Sequence, residues 1–468
     1  MPGKSDNLLV GLSIGTSKTT MIVAERDSRY LDGVHVIGFG YSPSRGINKG
    51  VISNHIAARQ SVEKAYQDAR SITGISPRRL KDVVVAFNAM DVQTSLTNGL
   101  ITLGGIDSKP VEASELERVI EIARSHVALP NNMYPLHMIP VRYAINGDVV
   151  EEPLNMSGSR LEIDMQTIAV PRIHVENIKR CVEKAGLHVK GLVLKPLASS
   201  LGALTSDEMR AGCISVCIGG GTTGIVLYEA GRAIDIISIP IGGDHITSDL
   251  SAVMQLSLQE AEHLKRRIFD PRFTDETLAR EGYNLDLASE VIIDRVEELF
   301  SEYIKAELSK YNPQLFPAGV VLSGGVSFMG GLDKILAEIL KMPVRRADEP
   351  IYNMPPNLDN AAFVSSAGIL RFMSATEADP YLFMSADKPL PGADANNKQD
   401  KDRDNNSDDD ENNNDDNYHD DNEEYNNDRD NNRYDDYGDY GEEYEDERPR
   451  RRVGDFFKKL GERFQDLF

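Results

Sequence analysis

CISVCIGGGTTGIVLYEAGR, residues 213–232, is the stretch on which the reading of the fold turns. Apolar β-formers run up to a Gly-Gly-Gly-Thr-Thr turn and apolar β-formers leave it, so Cys213–Tyr228 reads as a hairpin. A tight glycine turn between strands leaves successive backbone N–H groups pointing outward, and such a row cradles phosphate oxygens. The same device stands near the other end of the chain: residues 8–25, LLVGLSIGTSKTTMIVAE, are two β-rich runs around Gly-Thr-Ser. One glycine turn is ordinary hairpin chemistry. Two of them about 200 residues apart, each opening a strand-rich half, form a pattern. The candidate phosphate contacts are Gly15, Thr16, Ser17 and Lys18 in loop one, and Gly219, Gly220, Gly221, Thr222 and Thr223 in loop two. The glycines offer backbone, the hydroxyls offer further donors, and Lys18 offsets phosphate charge.

Two pieces lie downstream. In LSGGVSFMGG, residues 322–331, the Gly324–Gly325 turn between a strand and a helix lets a flat ring approach the backbone; a close-packed strand–helix turn reads the same way. In EAEHLK, residues 260–265, Glu262 and Lys265 share a helix face at i,i+3 and are placed to hold ribose hydroxyls, although a surface ion pair has the same spacing. Around these lie a strand near His35–Gly40, the segment RGINKGVIS, a helical pattern over Asn54–Thr73 and a buried strand at Val83–Phe87. A helix over 172–186, a strand at Lys190–Leu194, a mostly helical stretch from 245 to 308 and a closing helix at Ala361–Phe372 follow. Residues 88–168 have another texture: short alternating segments around one helix, Ala113–His126, read as a small α+β insertion.

Taken in order, phosphate loop, connecting helix, second phosphate loop, ribose helix and adenosine loop resemble the actin, heat-shock-chaperone and sugar-kinase ATPase superfamily. Within it, GLSIGTSK, RGINKGVIS, PLASSLGALTSDE, CISVCIGGGTTGIVLYEAGR, IPIGGDHITSDL and VVLSGGVSFMGGL are similar to the FtsA family of bacterial division proteins, over residues 8–372. The resemblance implies an α/β, actin-like ATPase fold of two lobes with a small α+β insertion subdomain. Residues 1–87 and 169–189 would form the core of lobe one, 88–168 the insertion, 190–239 and 313–384 the core of lobe two, and 240–312 a helical lobe. It implies ATP in the cleft, self-association into actin-like filaments, and recruitment of the tubulin-like FtsZ through the helical lobe, beside other division proteins. The chain departs from the family where aspartates are expected, at Ser13, Cys217 and Gly224. In the superfamily such carboxylates organise the waters of Mg2+ and position the attacking water. Their loss predicts ATP binding that persists, Mg2+ held weakly, little or no hydrolysis and no catalytic residue. Two other readings are an actin-like assembly factor of a pilus or secretion machine and an active chaperone- or sugar-kinase-type ATPase. The insertion and the C-terminal segment weigh against the first, the missing carboxylates against the second.

Charge divides the chain sharply. Its formal net charge is −23, yet residues 394–447 hold 24 acidic and 5 basic side chains, residues 448–468 hold 3 acidic and 7 basic, and the remainder carries −8. So mildly acidic a body gives no hint of nucleic-acid binding. From 385 to 447 almost no aliphatic residue remains, and such a segment reads as a disordered acidic linker with an r.m.s. reach of roughly 40–45 Å. It ends in RPRRRVGDFFKKLGERFQDLF. Val453, Phe456, Phe457, Leu460, Phe464, Leu467 and Phe468 recur at helical spacing on one face, and Arg450, Arg451 and Arg452 stand beside them. This is the pattern of an amphipathic helix lying in the plane of an anionic membrane; docking onto the protein's own body or a partner's groove is the other use of such a face. The apolar face is worth roughly 5–8 kcal/mol gross and each arginine about 1 kcal/mol, offset by helix ordering. One copy binds weakly, and a polymer makes it firm through effective concentration. Three cysteines without CxxC spacing, an N-terminus without an apolar signal core, and no uncharged apolar run of the roughly 18 residues needed to span point to a cytoplasmic protein whose membrane contact is peripheral, and the resemblance implies the inner membrane. The resemblance adds the division site.

Overall fold

A computed structural model of the chain describes residues 7–30, 33–104, 109–268, 275–329, 331–347 and 363–384. Two five-stranded sheets carry the body. The first has the order His188–Leu194, Asp82–Phe87, Leu8–Ile14, Lys18–Arg26, Val34–Pro43. The second has the order Val344–Arg346, Val320–Ser323, Cys213–Ile218, Thr223–Glu229, Arg232–Ile239. Each is the other's topology repeated. The hairpin's first strand is central, an antiparallel meander lies to one side of it, and parallel strands lie to the other. Such doubly covered central strands need apolar residues on both faces. Val10, Leu12 and Ile14 on one face and Leu9 on the other, and Val216 and Ile218 on one face and Cys213 on the other, are accordingly buried. This duplicated two-lobe α/β body is the actin-like fold that the order of motifs implies.

Helix His55–Thr73 packs on the Val34–Pro43 side through Ala58, Val62, Ala65 and Ala69. The Asn54 side chain accepts from the Ile56 and Ala57 amides at its start, and Gly74 closes it in the left-handed region. The 88–168 segment forms its own four-stranded sheet, ordered Asp148–Val150, Met133–Ile145, Arg160–Pro171, Gln93–Thr102. Helix Ala113–Ser125 backs that sheet over a separate core that includes Val119, Ile120, Leu161 and Ile163. Helices Gly243–Met254, Leu258–Ile268 and Leu285–Glu297 build a further layer against the second sheet, sharing its core.

Two helices cross beneath the hairpins. Lys195–Ala203 follows directly on the last strand of the first sheet, and Val364–Ala378 begins three residues beyond the predicted Ala361 and runs on to Ala378. Their backbones touch at glycines. A Cβ on Gly202 would stand 3.0 Å from the Gly368 amide nitrogen, and one on Gly368 would stand 2.8 Å from that of Gly202 and overlap the Ala198 carbonyl. The closing helix also faces the first hairpin, where Gly11 lets Ile369 approach. Residues 385–468, which hold the linker and the C-terminal segment, lie outside the described residues.

Candidate phosphate-binding site

The two loops are built alike. In each hairpin the last strand pair, Ile14 with Thr19 and Ile218 with Thr223, leaves four residues to turn. The first of the four closes on the last: the Gly15 N–H donates to the Lys18 carbonyl at 3.0 Å, and the Gly219 N–H to the Thr222 carbonyl at 2.9 Å. Between these closures, the amides of Thr16, Ser17, Gly220 and Gly221 donate to no group among the described residues. The loops face one another. A Cβ on Gly220 would stand 3.1 Å from the Ser17 Cβ, and one on Gly221 would stand 2.6 Å from the Thr16 hydroxyl. Neither glycine has a positive φ, so it is the approach of loop one, joined at Gly220 by Asp244 Oδ1 at 2.9 Å, and not backbone conformation, that excludes side chains there.

Neighbouring segments orient the hydroxyls. The Gly50 amide, from the RGINKGVIS stretch, donates to the Thr16 oxygen at 2.9 Å. Asn88 Nδ2 donates to the Thr222 oxygen at 2.6 Å, while Asn88 Oδ1 accepts from Ser238 at 3.2 Å. Because both threonine oxygens accept here, their own protons remain available to a phosphate oxygen. Thr223 does not belong with them. Its hydroxyl is fully buried and donates to the Ile241 carbonyl at 2.8 Å, which corrects its assignment as a phosphate donor. Successive strand residues face opposite sides, so Thr222 and Thr223 cannot both reach the cleft.

The remaining glycine turns and the Glu262–Lys265 pair gather around loop two. The Gly243 and Asp244 amides donate to the Gly219 and Gly220 carbonyls at 2.9 and 2.7 Å. Lys265 Nζ donates to the Gly243 carbonyl at 2.9 Å and the Thr247 hydroxyl at 2.8 Å, and pairs with Glu262 Oε2 at 2.6 Å. An ammonium has three protons, and these contacts engage all three. Lys265 therefore braces the Gly242–Gly243 turn, a correction to its predicted ribose contact. Glu262 also accepts from Arg266 at 2.8 Å and stays half-buried; burial works against its charge, but Lys265 and the hydrogen bonds hold its carboxyl below the ordinary range. Gly324, at φ 90°, lies against the Ile218 backbone, where any Cβ would collide. Gly325 is exposed, with no neighbouring heavy atom within 4 Å of a Cβ position, so its backbone face is open to a flat ring.

The charged groups are cationic at loop one. Lys18 is half-buried with its ammonium 4.0 Å from the centre of the Phe363 ring. Burial first, and then the charge of Lys195, pull the Lys18 pKa down to about 7, with Cys217 opposing and Arg266 adding to the fall. Lys195, first residue of its helix, was not among the residues singled out from sequence. Its ammonium lies against Gly15, where a Cβ would strike it, and burial lowers its pKa against the opposing influence of Cys217. The three positions lacking the expected aspartates lie in the strands of the same two hairpins. Ser13 is buried and bonded to Ser365 at 3.1 Å, Cys217 acts electrostatically on both ammonium groups, and Gly224 is covered by Pro196. A thiol, a buried hydroxyl and two cations are a poor donor set for Mg2+, which prefers carboxylate and water oxygens in octahedral array. Polyphosphate oxygens suit the free amides and ammonium groups well. The predicted membrane-facing residues, Arg450–Phe468, lie outside the described residues.

Comparison with known proteins places this geometry in context. A family model described as cell division protein FtsA matches residues 215–368, and one described as the SHS2 domain inserted in FTSA matches residues 91–169. Cell division protein FtsA of Pseudomonas aeruginosa is 33% identical over 394 residues, covering 80% of this chain and 91% of that protein. The protein of the same name from Bacillus subtilis is 30% identical over 381 residues, covering 79% and 84%. Among solved structures, the PilM–PilN type IV pilus biogenesis complex aligns at a TM-score of 0.56 over 78% of this chain and 98% of that one, at 18% identity, a likeness of fold alone.

Proposed function

The chain belongs to the FtsA family of actin-like cell division proteins, and from that premise we propose that it is a membrane-tethering, polymerising scaffold of the division ring that holds FtsZ at the inner membrane and binds ATP with little or no hydrolysis. The observation that carries the nucleotide part is the pair of opposed loops with free amides at Thr16, Ser17, Gly220 and Gly221. Gly15, Thr16, Ser17, Lys18, Gly219, Gly220, Gly221 and Thr222 take the phosphates, Glu262 faces the ribose, and the Gly324–Gly325 turn faces the adenine. ATP supplies charge to bind rather than a bond to break: no carboxylate stands at Ser13, Cys217 or Gly224 to order an attacking water. We keep the lobe boundaries stated above, with 240–312 as the surface that meets FtsZ.

Attachment rests on residues 448–468, whose apolar and basic faces fit the surface of an anionic bilayer. No described helix is long and apolar enough to cross a membrane. Sedimentation of the full chain with phosphatidylglycerol-containing vesicles, with and without residues 449–468, tests this. The intact chain is expected to pellet and the truncated one to stay in solution; equal pelleting of both would falsify tethering by this segment. A phosphate-release assay on the purified chain is expected to stay near background, and ordinary turnover would remove the claim that hydrolysis is lost.

A further inference from the structure

Lys195 has a position that the sequence did not suggest. It opens the helix whose next residue, Pro196, covers Gly224 of the second hairpin. Its side chain runs the other way, to Gly15 of the first hairpin. The ammonium thus reaches loop one from the base of loop two, and its charge is felt at Lys18. The two ammonium groups repel, and each is partly removed from water, an arrangement that an anion between them relieves. Asp244, whose Oδ1 lies 2.9 Å from where a Cβ on Gly220 would stand, is pushed by burial toward its neutral form, with Lys265 opposing, so its carboxyl balances the lysines less than its place suggests.

We propose that Lys195 is a built-in counter-cation of the phosphate site, and that with Lys18 it lets the chain bind a nucleoside triphosphate without Mg2+. This rests on the nucleotide reading above and adds to it. A divalent cation in a carboxylate-lined cleft neutralises the phosphates and fixes their orientation. Here a covalently attached ammonium does the first, and the opposed amides do the second. Lysine suits the task because it is a compact point charge on a flexible stem, able to meet whichever oxygen the loops present. The same charge opposes the approach of Mg2+ to Cys217 and Ser13.

The test is equilibrium binding of ATP to the full chain by titration calorimetry, once in EDTA and once in excess Mg2+. The wild-type chain is expected to bind within about threefold under both conditions. Lys195→Gln is expected to lose about tenfold or more in EDTA, the scale of one charged hydrogen bond, and Lys195→Arg to keep most of the affinity. Lys195→Glu, which places a carboxylate there, is expected to bind only with Mg2+. Binding by the wild-type chain that requires Mg2+ overturns the proposal and leaves the nucleotide reading standing. So does Lys195→Gln binding as tightly as wild type in EDTA. An absence of binding in both EDTA and Mg2+ overturns both. The wild-type comparison stands whether or not a variant folds, and thermal melting without ATP identifies any variant that does not.

Discussion

Loop one and loop two have the same closure and the same place in the same sheet topology, yet they are made of different matter. Loop one presents side chains: two hydroxyls, Lys18, and the Lys195 ammonium pressed on Gly15. Loop two presents backbone, with Gly219, Gly220 and Gly221 in a row. The contacts explain the difference. Thr16 and Ser17, with Asp244 beside Gly220, occupy the space that side chains at 220 and 221 would need, so the lysine charge stands at loop one while the middle of loop two stays bare for the two to meet. The duplicated fold holds an uneven task, with free amides on both loops and the ammonium groups at one of them.

The division breaks most severely on the bare side. Gly221→Val places a branched side chain into Thr16 and should weaken ATP binding by about a hundredfold or more, read by calorimetry; Ser17→Ala, the mirror change, should cost only a few-fold. Next comes the charge. Lys18 titrates near 7 without ligand, and a bound anion raises its pKa, so binding takes up a proton and affinity falls as pH rises above 7. Between pH 7 and 8.5 the loss should be about tenfold, and Lys18→Gln should flatten the profile. A smaller effect is expected from Asn88→Ala, which frees the Thr222 hydroxyl from its 2.6 Å partner: affinity should drop about fivefold with little change in melting temperature. Least of all for binding, Thr223→Val should leave ATP affinity unchanged and cost about 1–2 kcal/mol of stability through the orphaned Ile241 carbonyl, measured by denaturant unfolding. Weakened ATP binding in Thr223→Val would return that residue to the cleft.

What could be read from sequence follows the range of the interactions. The hairpins, the Asn54-capped helix and the Gly324 turn are local: apolar runs, a cap and a positive φ specify each within a few residues. The amides of both loops were legible for the same reason. Lys195, Asn88 and the brace made by Lys265 were not, because their meaning lies in what approaches them. Asn88 meets Thr222 across 134 residues of chain and Lys195 meets Gly15 across 180. In sequence, Lys195 is an ordinary residue at a helix start and Lys265 an ordinary i,i+3 partner. The Thr223 error was of another kind. The alternation of strand faces was available in the sequence and would have separated it from Thr222. The membrane-facing segment remains a reading of periodicity and charge.

The crossing of Gly202 over Gly368 has a mechanical meaning. Where helices meet through interlocked side chains, turning one against the other forces rotamers to change and the seam to repack. Here backbone lies on backbone, so a small rotation has few side chains to displace at the point of contact. The crossing is a pivot, and the hairpins above it are the arms of a lever. A fraction of a degree at the pivot becomes displacement at the loop tips, where the free amides face one another. A ligand that draws the two loop tips together would therefore bias the angle between the lobes, and in the polymerising scaffold proposed above that angle sets the shape each subunit offers to the next.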